Sequence, residues 1–227
     1  MTISSTATFD ETAQQICVNA LVNLGAIGIG EAPPAELLVH ARSKLNVLVK
    51  SIDKEGPFTW RTVRRTLPTI SGTTAYPLGA DVKSLQPYAR YIRPGQTSGI
   101  LLWPLGAREF MELPDRTIQG TPVQFWPEKR NRAVTLNLWP IPNEVGVVEY
   151  SAALWSADMA RNDDTPDFPP EWLRCLEYGL SADMAPAYGQ AATPFGTVFE
   201  TELAKLVGMN TEEQAPLTFV VGQTRGW

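Results

Sequence analysis

The residues that could carry out chemistry are few, and they lie far apart in the sequence. His40 is the sole histidine, which excludes metal sites built from several histidines, and no sequence feature pairs it with a nucleophile. Asp163, Asp164 and Asp167 could form a site for a hard cation or the carboxylate pair of a glycoside hydrolase. Their loop lacks the spacing of an EF-hand, however, and a threonine and a proline interrupt the acids. A solvated linker that caps the next helix is the better interpretation.

A glycine-rich segment superficially resembles a phosphate-binding loop. Gly25, Gly28 and Gly30 lie close together, but they follow one predicted helix and precede another. The dinucleotide-binding fingerprint follows a strand instead. A helix stop and a tight turn therefore explain these glycines better. The sequence thus predicts no catalytic residue, no metal site and no cofactor.

The basic residues offer a different kind of site. They form the two strongest basic clusters in the chain: Arg61, Arg64 and Arg65, and Lys129, Arg130 and Arg132. Either cluster could contact passing phosphates or acidic neighbours across a protein interface, and the sequence does not decide between the two. The net charge of −5 argues against a protein that holds nucleic acid tightly.

The two cysteines and the N-terminus indicate a compartment. Cys17 and Cys175 fall within predicted helices, which suits buried free thiols better than a disulfide. The first residues lack the basic and apolar regions of a signal peptide, and no apolar run is long enough to span a membrane. We expect the protein to fold in a reducing cytoplasm and to have no membrane partner.

Two N-terminal helices are predicted to pair as a hairpin. Thr8 and Glu11 have the spacing of a capping box for the first helix, which ends at Gly25. The second helix extends from Pro33 to Gly56. Its apolar positions recur at alternating intervals of three and four: Leu38, Ala41, Leu45, Leu48 and Ile52. This seam favours core packing, with a subunit contact as the alternative.

The pattern changes from helical to alternating between Pro57 and Trp155. Apolar residues occupy every second position in two segments, Val134–Leu138 and Val148–Leu154. We expect shorter strands near Tyr76, at 100–103 and at 123–126, and a short helix at 107–113. The prolines are expected to end strands: Pro68, Pro104, Pro127, Pro140 and Pro142. The interpretation is an antiparallel β domain inserted between helices.

The C-terminal part returns to helical periodicity. A turn-rich linker at 162–170 precedes a helix at 171–188 whose face includes Leu173, Met184 and Ala187, and a fourth helix from Thr193 to 208. The predicted fold is therefore α+β, a four-helix layer with an inserted antiparallel β domain. The expected divisions are an N-terminal helical hairpin (1–56), a β-rich domain (57–160), the C-terminal helices (161–210) and an extended arm (211–227).

A series of short motifs in a fixed order resembles the head-to-tail adaptors of tailed bacteriophages, also called tail accessory factors or head-tail connectors. The resemblance covers about residues 10 to 209. The motifs are 24–31 (LGAIGIGE), Leu45-Asn46, 54–56 (KEG), Gly72 with 76–78 (YPL), 120–122 (GTP), 136–142 (LNLWPIP), 168–172 (FPPEW) and 185–189 (APAYG).

The resemblance implies a structural, non-enzymatic function in the virion, at the junction between head and tail. Such proteins form a dodecameric ring under the portal that extends the DNA channel and provides the attachment site for a tail nozzle or tube protein. The implied partners are other copies of this chain, the portal, the tail protein and passing double-stranded DNA without sequence specificity. Assembly would take place in the host cytoplasm, and the C-terminal segment would reach toward the portal.

Two sets of residues are candidate contacts in such an assembly. The arm has a polar start followed by a β-prone stretch, and its residue types are common at interfaces. The candidate portal-docking residues are Leu217, Phe219, Val221, Arg225 and Trp227. Arg61, Arg64 and Arg65 are candidates for weak contacts with DNA or a neighbouring subunit.

Two other classes of function remain open at this point. One is a cell-wall glycan hydrolase of a phage tail that uses Asp163 or Asp164, which requires two carboxyl groups converging in a cleft about 5–9.5 Å apart. The other is a monomeric cytoplasmic binding module, which a mass measurement would distinguish from a ring component.

Overall fold

The chain combines helices with a large sheet, as the sequence predicts. The computed structural model describes residues 9–131 and 133–210. The helices in these ranges are α1 (Ala13–Asn23), α2 (Ala35–Ile52), α3 (Ala107–Met111), α4 (Leu173–Met184) and α5 (Thr193–Asn210). The strands are β1 (Thr62–Pro68), β2 (Ala75–Pro77), β3 (Val82–Ile92), β4 (Gly99–Pro104), β5 (Gln119–Gly120), β6 (Gln124–Arg130), β7 (Ala133–Trp139), β8 (Ile141–Pro142) and β9 (Val147–Leu154). The fold is mixed α+β.

α2 is the long helix expected between Pro33 and Gly56. It begins after Pro34 and ends in a short 3₁₀ turn, Asp53–Glu55, that precedes Gly56. All five residues of its predicted seam are buried: Leu38, Ala41, Leu45, Leu48 and Ile52. The spacing of apolar residues therefore identified the face of α2 that packs in the core.

α1 begins later than the sequence pattern suggested. Its capping box is formed by Thr12 and Gln15, whereas the prediction used Thr8 and Glu11. The Gln15 backbone N–H donates to the Thr12 hydroxyl at 3.3 Å, and the Thr12 N–H donates to the Gln15 side-chain oxygen at 2.8 Å. Two patterns of this type follow each other in the sequence, and the second one directly precedes the apolar stripe. Gly25 follows α1 with a left-handed φ of 63°, as its predicted role requires.

Seven strands form one sheet in the order β1-β9-β3-β4-β6-β7-β2, and β5 pairs with β8 separately. The prediction of a wholly antiparallel domain is wrong in two places, because β4–β6 and β5–β8 are parallel. The β4–β6 pairing is short: Trp103 lies opposite Gln124, and Pro104 lies opposite Phe125. It joins an antiparallel group of strands on each side into one curled sheet.

Of the five prolines predicted to end strands, one does not. Pro127 lies inside β6, opposite Leu136 of β7. β4 pairs with β6 only at Gln124 and Phe125, so no strand borders the other side of β6 at Pro127. A proline is compatible with such a position because the missing N–H is not needed by a neighbouring strand.

α4 lies at the centre of the helices, since α1, α2 and α5 all pack on it. At Gly179, an added Cβ would lie 2.8 Å from the Phe199 ring of α5 and 2.9 Å from a methyl group of Leu48 on α2. The absence of a side chain at 179 therefore allows three helices to approach closely. Of the face predicted for this helix, Leu173 and Met184 are buried, whereas Ala187 is exposed, because the chain tightens into a 3₁₀ turn at Ala185–Tyr188.

The buried apolar residues form two separate clusters. One contains residues of α1, α2, α4 and α5 together with Phe58, Met159 and Phe168. The other is enclosed by the sheet and includes the predicted inward residues of β7 and β9, among them Leu136 and Val148. Each part of the fold thus has its own core. Among the described residues, no helix has the length and apolar character needed to cross a membrane.

Candidate interface residues and the joint between helices and sheet

Arg61 is a buried residue, which excludes it from the contact surface predicted for the three arginines. Its side chain is 3% exposed and forms an ion pair with Asp53, which is 2% exposed. The terminal nitrogen that faces Asp53 also donates to the Ser156 hydroxyl, and the second terminal nitrogen donates to the Asp167 carbonyl at 2.6 Å. Burial lowers the pKa of Arg61, and the two nearby aspartates oppose that effect. Arg61 therefore holds chain segments together inside the protomer.

The residues around Arg61 join the end of α2 to the sheet. The Asp53 carboxylate accepts the Ser156 backbone N–H at 3.2 Å and the Ser156 hydroxyl at 2.5 Å. Lys83 of β3 donates to the Asp53 carbonyl and, at 3.2 Å, to the Gly56 carbonyl. A buried charge is tolerated when it is paired and hydrogen-bonded in this way. We call the group of Asp53, Arg61, Lys83 and Ser156 the joint.

An aromatic cluster lies beside the joint. Phe58 and Trp60 stack with ring centroids 4.7 Å apart, and Trp172 meets Phe58 edge-on at 5.1 Å. The Arg61 guanidinium lies 4.3 Å from the centre of the Phe168 ring. Stacked and edge-on rings bury large apolar area in defined orientations. The cluster thus fixes the start of β1 against the start of α4.

Residues 156–164, which we call the strap, connect β9 to the region before α4 and run antiparallel along α2. The Asn46 side chain on α2 both donates to and accepts from the backbone of one strap residue, Met159. The Met159 backbone N–H donates to the Asn46 side-chain oxygen at 2.9 Å, and the Asn46 amide donates to the Met159 carbonyl at 3.0 Å. An amide side chain satisfies both backbone groups of one residue in this arrangement. Asn46 therefore fixes the register of the strap on α2.

Two cations of α2 continue this row of contacts. Lys50 forms an ion pair with Asp158 at 2.8 Å, and Arg42 donates to the Asn162 side-chain oxygen at 2.7 Å. The first N–H groups of α1 donate to the carbonyls of residues 162 and 164. Since Arg42, Asn46 and Lys50 are four residues apart, they lie along one side of α2.

This arrangement corrects one part of the interpretation of Asp163, Asp164 and Asp167 as a solvated linker that caps the next helix. Asp163 and Asp167 are exposed, as a solvated linker requires, but no side chain caps α4. The Asp164 carboxylate accepts the Arg161 N–H at 2.7 Å, and its carbonyl accepts the first N–H of α1. The 3₁₀ turn before α4 has no side-chain cap. The acidic segment is therefore held against the start of α1 through Asp164. Within the described ranges, no group of three or more His, Cys, Asp or Glu side chains could hold a metal ion.

Arg64 and Arg65 are on β1, at the edge of the sheet, and both reach solvent. Arg64 is 76% exposed and lies 3.6 Å from Glu149, which also pairs with Arg90. Arg65 forms a two-point contact with Asp81, and this hydrogen bonding lowers the pKa of the Asp81 carboxyl. In the second basic cluster the positive charge is partly neutralised, because Arg130 is paired with Glu128 at 2.8 Å.

The outer face of the sheet carries an apolar surface that sequence reasoning missed. Tyr88, Leu101 and Trp103 are exposed on β3 and β4. Tyr88 and Leu101 border an open depression of about 510 Å³, together with Arg64 and Arg90. Tyrosine, tryptophan and arginine are enriched at the energetic centres of protein interfaces. The sequence contained a signal for this surface. In a strand at 99–104 successive side chains point to opposite faces, so Leu101 and Trp103 share one face.

The remaining residues considered for chemistry lie in the helices or in the turn between α1 and α2. His40 is exposed on α2, and the glycines at 25–30 form the turn between α1 and α2. Cys17 and Cys175 are free and buried, as expected, and burial raises the pKa of each thiol to about 12. Such thiols remain protonated and weakly nucleophilic at neutral pH.

The candidate portal-docking residues and one member of the second basic cluster lie outside the described residues. They are Leu217, Phe219, Val221, Arg225, Trp227 and Arg132.

Asn46 and the strap are the structural features that were hardest to predict from the sequence. The i, i+4 spacing of Arg42, Asn46 and Lys50 was a signal for a polar contact along α2. The sequence could not identify the partners of this contact, because they are more than a hundred residues away.

Comparison with known proteins places the chain in a family. No curated protein matches the chain. The family model described as "SU10 adaptor protein" matches residues 29–220, which include α2, the sheet, the strap and the C-terminal helices. This match covers most of the sequence and agrees with the resemblance carried by its short motifs. The chain therefore belongs to the SU10 adaptor protein family and is a phage head-to-tail adaptor.

Proposed function

We propose that this adaptor assembles as a dodecameric ring beneath the portal, where it extends the DNA channel and provides the attachment site for a tail nozzle or tube protein. The family match over residues 29–220 carries the proposal. The proposed location is the head-tail junction of the virion, after assembly in the host cytoplasm. The role is structural and needs no cofactor.

The connection between the two cores supports a role in holding two partners at a fixed geometry. One cluster belongs to the helices and the other to the sheet, and the joint and the strap link them by hydrogen bonds and ion pairs. We propose that the N-terminal hairpin (1–56) and the C-terminal helices (161–210) act as one four-helix layer. The β-rich domain (57–160) then presents a second surface. A ring component needs distinct faces for its neighbours above, below and beside it.

The arm at 211–227 is proposed to dock on the portal through Leu217, Phe219, Val221, Arg225 and Trp227. Among the three arginines, Arg64 and Arg65 are proposed to contact a neighbouring subunit or passing DNA, whereas Arg61 is not, because it is buried. Weak contact suits a conduit, since tight binding of phosphates would slow the passage of DNA. The net charge of −5 is compatible with such weak contact.

Electron microscopy of the purified protein, with and without its portal, tests this function. We expect closed rings, at least in the presence of the portal, with their opening aligned to the portal channel. A protein that stays monomeric in both conditions would favour the cytoplasmic binding module. Cleavage of cell-wall glycan that is lost on Asp164→Asn substitution would instead favour the hydrolase.

A further inference from the structure

The β6–β7 hairpin carries two exposed cations at its tip, Lys129 and Arg130. Arg130 ends β6 and lies opposite Ala133, the first residue of β7, so the hairpin closes through residues 131 and 132. Glu128 pairs with Arg130 at 2.8 Å, whereas Lys129 forms no ion pair with any described residue. The tip therefore keeps one positive charge that no carboxylate of the described residues neutralises.

A depression of about 220 Å³ lies beside this tip, and both cations line it. β3 and β7 are not neighbours in the order of the sheet, but the curl of the sheet brings Lys83 of β3 and Val134 of β7 into the same wall. Trp155, which follows β9 and is 38% exposed, forms another part of the wall. Its backbone N–H donates to the Asp81 carbonyl at 2.8 Å, which holds it near the start of β3.

The depression is positively charged. Among the described residues, the ionisable side chains that line it are all cations: Lys83, Lys129 and Arg130. Burial lowers the pKa of Lys83, and Asp53 opposes this effect. The nearby charges of Lys129 and Arg61 lower the pKa of Lys83 further. Positive charges thus crowd together at this point of the surface, which favours the binding of an anion.

The first basic cluster has a different environment. Arg64 and Arg90 lie on the two strands that flank β9, and both pair with Glu149 of β9, so an anion that approached them would also meet this carboxylate. Protein interfaces are enriched in arginine and depleted in lysine, whereas surfaces that bind DNA are strongly positive. The depression beside Lys83 and Lys129 therefore suits phosphate better than the one beside Arg64 does.

We propose that the depression at the β6–β7 hairpin receives the phosphodiester backbone of double-stranded DNA, with Lys129 as the main cation. A phosphodiester chain alternates anionic phosphates with less polar sugars, and the depression likewise places cations beside the indole of Trp155. Contact through one or two cations is weak and carries no sequence information, which suits the passage of DNA through a conduit. The inference rests on the proposed function, because it requires DNA to pass along the adaptor.

A short fluorescent duplex added to the purified chain tests the contact, with anisotropy measured at salt concentrations from about 50 to 200 mM. Lys129→Gln should weaken binding alike for duplexes of different sequence, and it should reduce the slope of log K against log salt by about 1, since one phosphate contact is lost. Lys205→Gln on α5 is the matched control, because Lys205 is also exposed. It should leave both quantities unchanged, and neither variant should lower the melting temperature.

Poly-L-glutamate is the probe for an acidic protein segment at the same place. Binding of this polymer in preference to the duplex would overturn the inference, as would a duplex that fails to bind at the lowest salt concentration. Equal losses in Lys129→Gln and Lys205→Gln would also overturn it, since they would reflect net charge alone. The duplex assay needs no ring, so its failure is distinct from the absence of rings in electron microscopy, which would overturn the proposed function instead.

Discussion

At the scale of single residues, burial decides which charges stabilise the fold and which are available to partners. Arg61 and Arg64 are three positions apart in the sequence, yet the first is enclosed with Asp53 and the second is largely in solvent. A buried ion pair is costly to break because one partner would remain charged in a medium of low polarity. Arg61 therefore belongs to the stability of the protomer, and Arg64 belongs to its surface.

Replacing Arg61 with Met should lower the free energy of unfolding by about 3–5 kcal/mol, since it leaves the Asp53 carboxylate buried without its cation. Urea denaturation followed by tryptophan fluorescence measures the change. The double variant Arg61→Met, Asp53→Asn should recover part of the loss, because the uncompensated charge is removed.

Arg108→Met is the control for this pair, since Arg108 is exposed on α3. It should change the free energy of unfolding by no more than about 0.5 kcal/mol. A loss in Arg61→Met as small as that of the control would contradict the role assigned to the joint.

At the scale of elements, α2 contacts the other helices with one side and the strap with another. Its apolar seam packs on the other helices, and its row of Arg42, Asn46 and Lys50 binds the strap. These sides stabilise by different means, since the seam buries apolar area and the polar row satisfies backbone groups of the strap.

Leu45→Ala should lower the free energy of unfolding by about 2–5 kcal/mol, because Leu45 is fully buried in the helical core. Val47→Ala on the same helix should change it little, since Val47 is exposed. Denaturant unfolding compares the two variants. An effect of Leu45→Ala within error of zero would show that the seam is not part of a packed core.

Asn46→Ala should cost about 1–3 kcal/mol, because the N–H and carbonyl groups of Met159 both lose their partner. Ser43→Ala, an exposed change on the same helix, is the control. Hydrogen exchange of the Met159 amide gives a local measurement, and its protection should fall more than that of the seam residues. Unchanged exchange at Met159 would mean that Asn46 does not hold the strap.

At the scale of the whole molecule, two cores are combined with several exposed apolar surfaces. Tyr88, Leu101 and Trp103 lie on the outer face of the sheet, and further apolar side chains are exposed on α2 and α5. Exposed apolar patches on a small protein usually mark interaction sites. An adaptor, which contacts partners in several directions, is expected to have them.

Arg64→Glu should change ring formation or its dependence on salt, and it should leave the melting temperature unchanged because the side chain is largely in solvent. Arg108→Glu provides an exposed charge reversal elsewhere on the molecule. Mass photometry at several salt concentrations measures both variants. Strong preference of the purified protein for one duplex sequence at physiological salt would contradict a weak, non-specific contact.

Deletion of residues 211–227 should abolish portal binding and leave the melting temperature of the isolated protomer unchanged, because the arm follows a complete set of helices. Co-sedimentation with the portal and thermal unfolding measure the two effects. A large drop in the melting temperature would show that this segment stabilises its own protomer.

The sequence predicted the elements with regular periodicity and missed those whose contacts are distant or irregular. The burial of the seam containing Leu45 and of the alternating residues around Leu136 was predicted correctly, because each pattern follows the period of its element. β3 was missed, since irregular pairing between Leu85 and Ala89 interrupts its alternation. The burial of Arg61 could not be predicted, because it depends on Ser156 and on the fold that brings it near.

The strap has a mechanical consequence. Its contacts with Arg42, Asn46 and Lys50 form a row along the axis of α2. A force that pulls the sheet along this axis loads these contacts together, in shear, so they must fail at the same time. A force that lifts the strap away from α2 opens them one after another, as a zipper opens, and needs less tension. The protomer should therefore be stiff along α2 and compliant across it, which a pulling experiment with handles placed in the two geometries would measure.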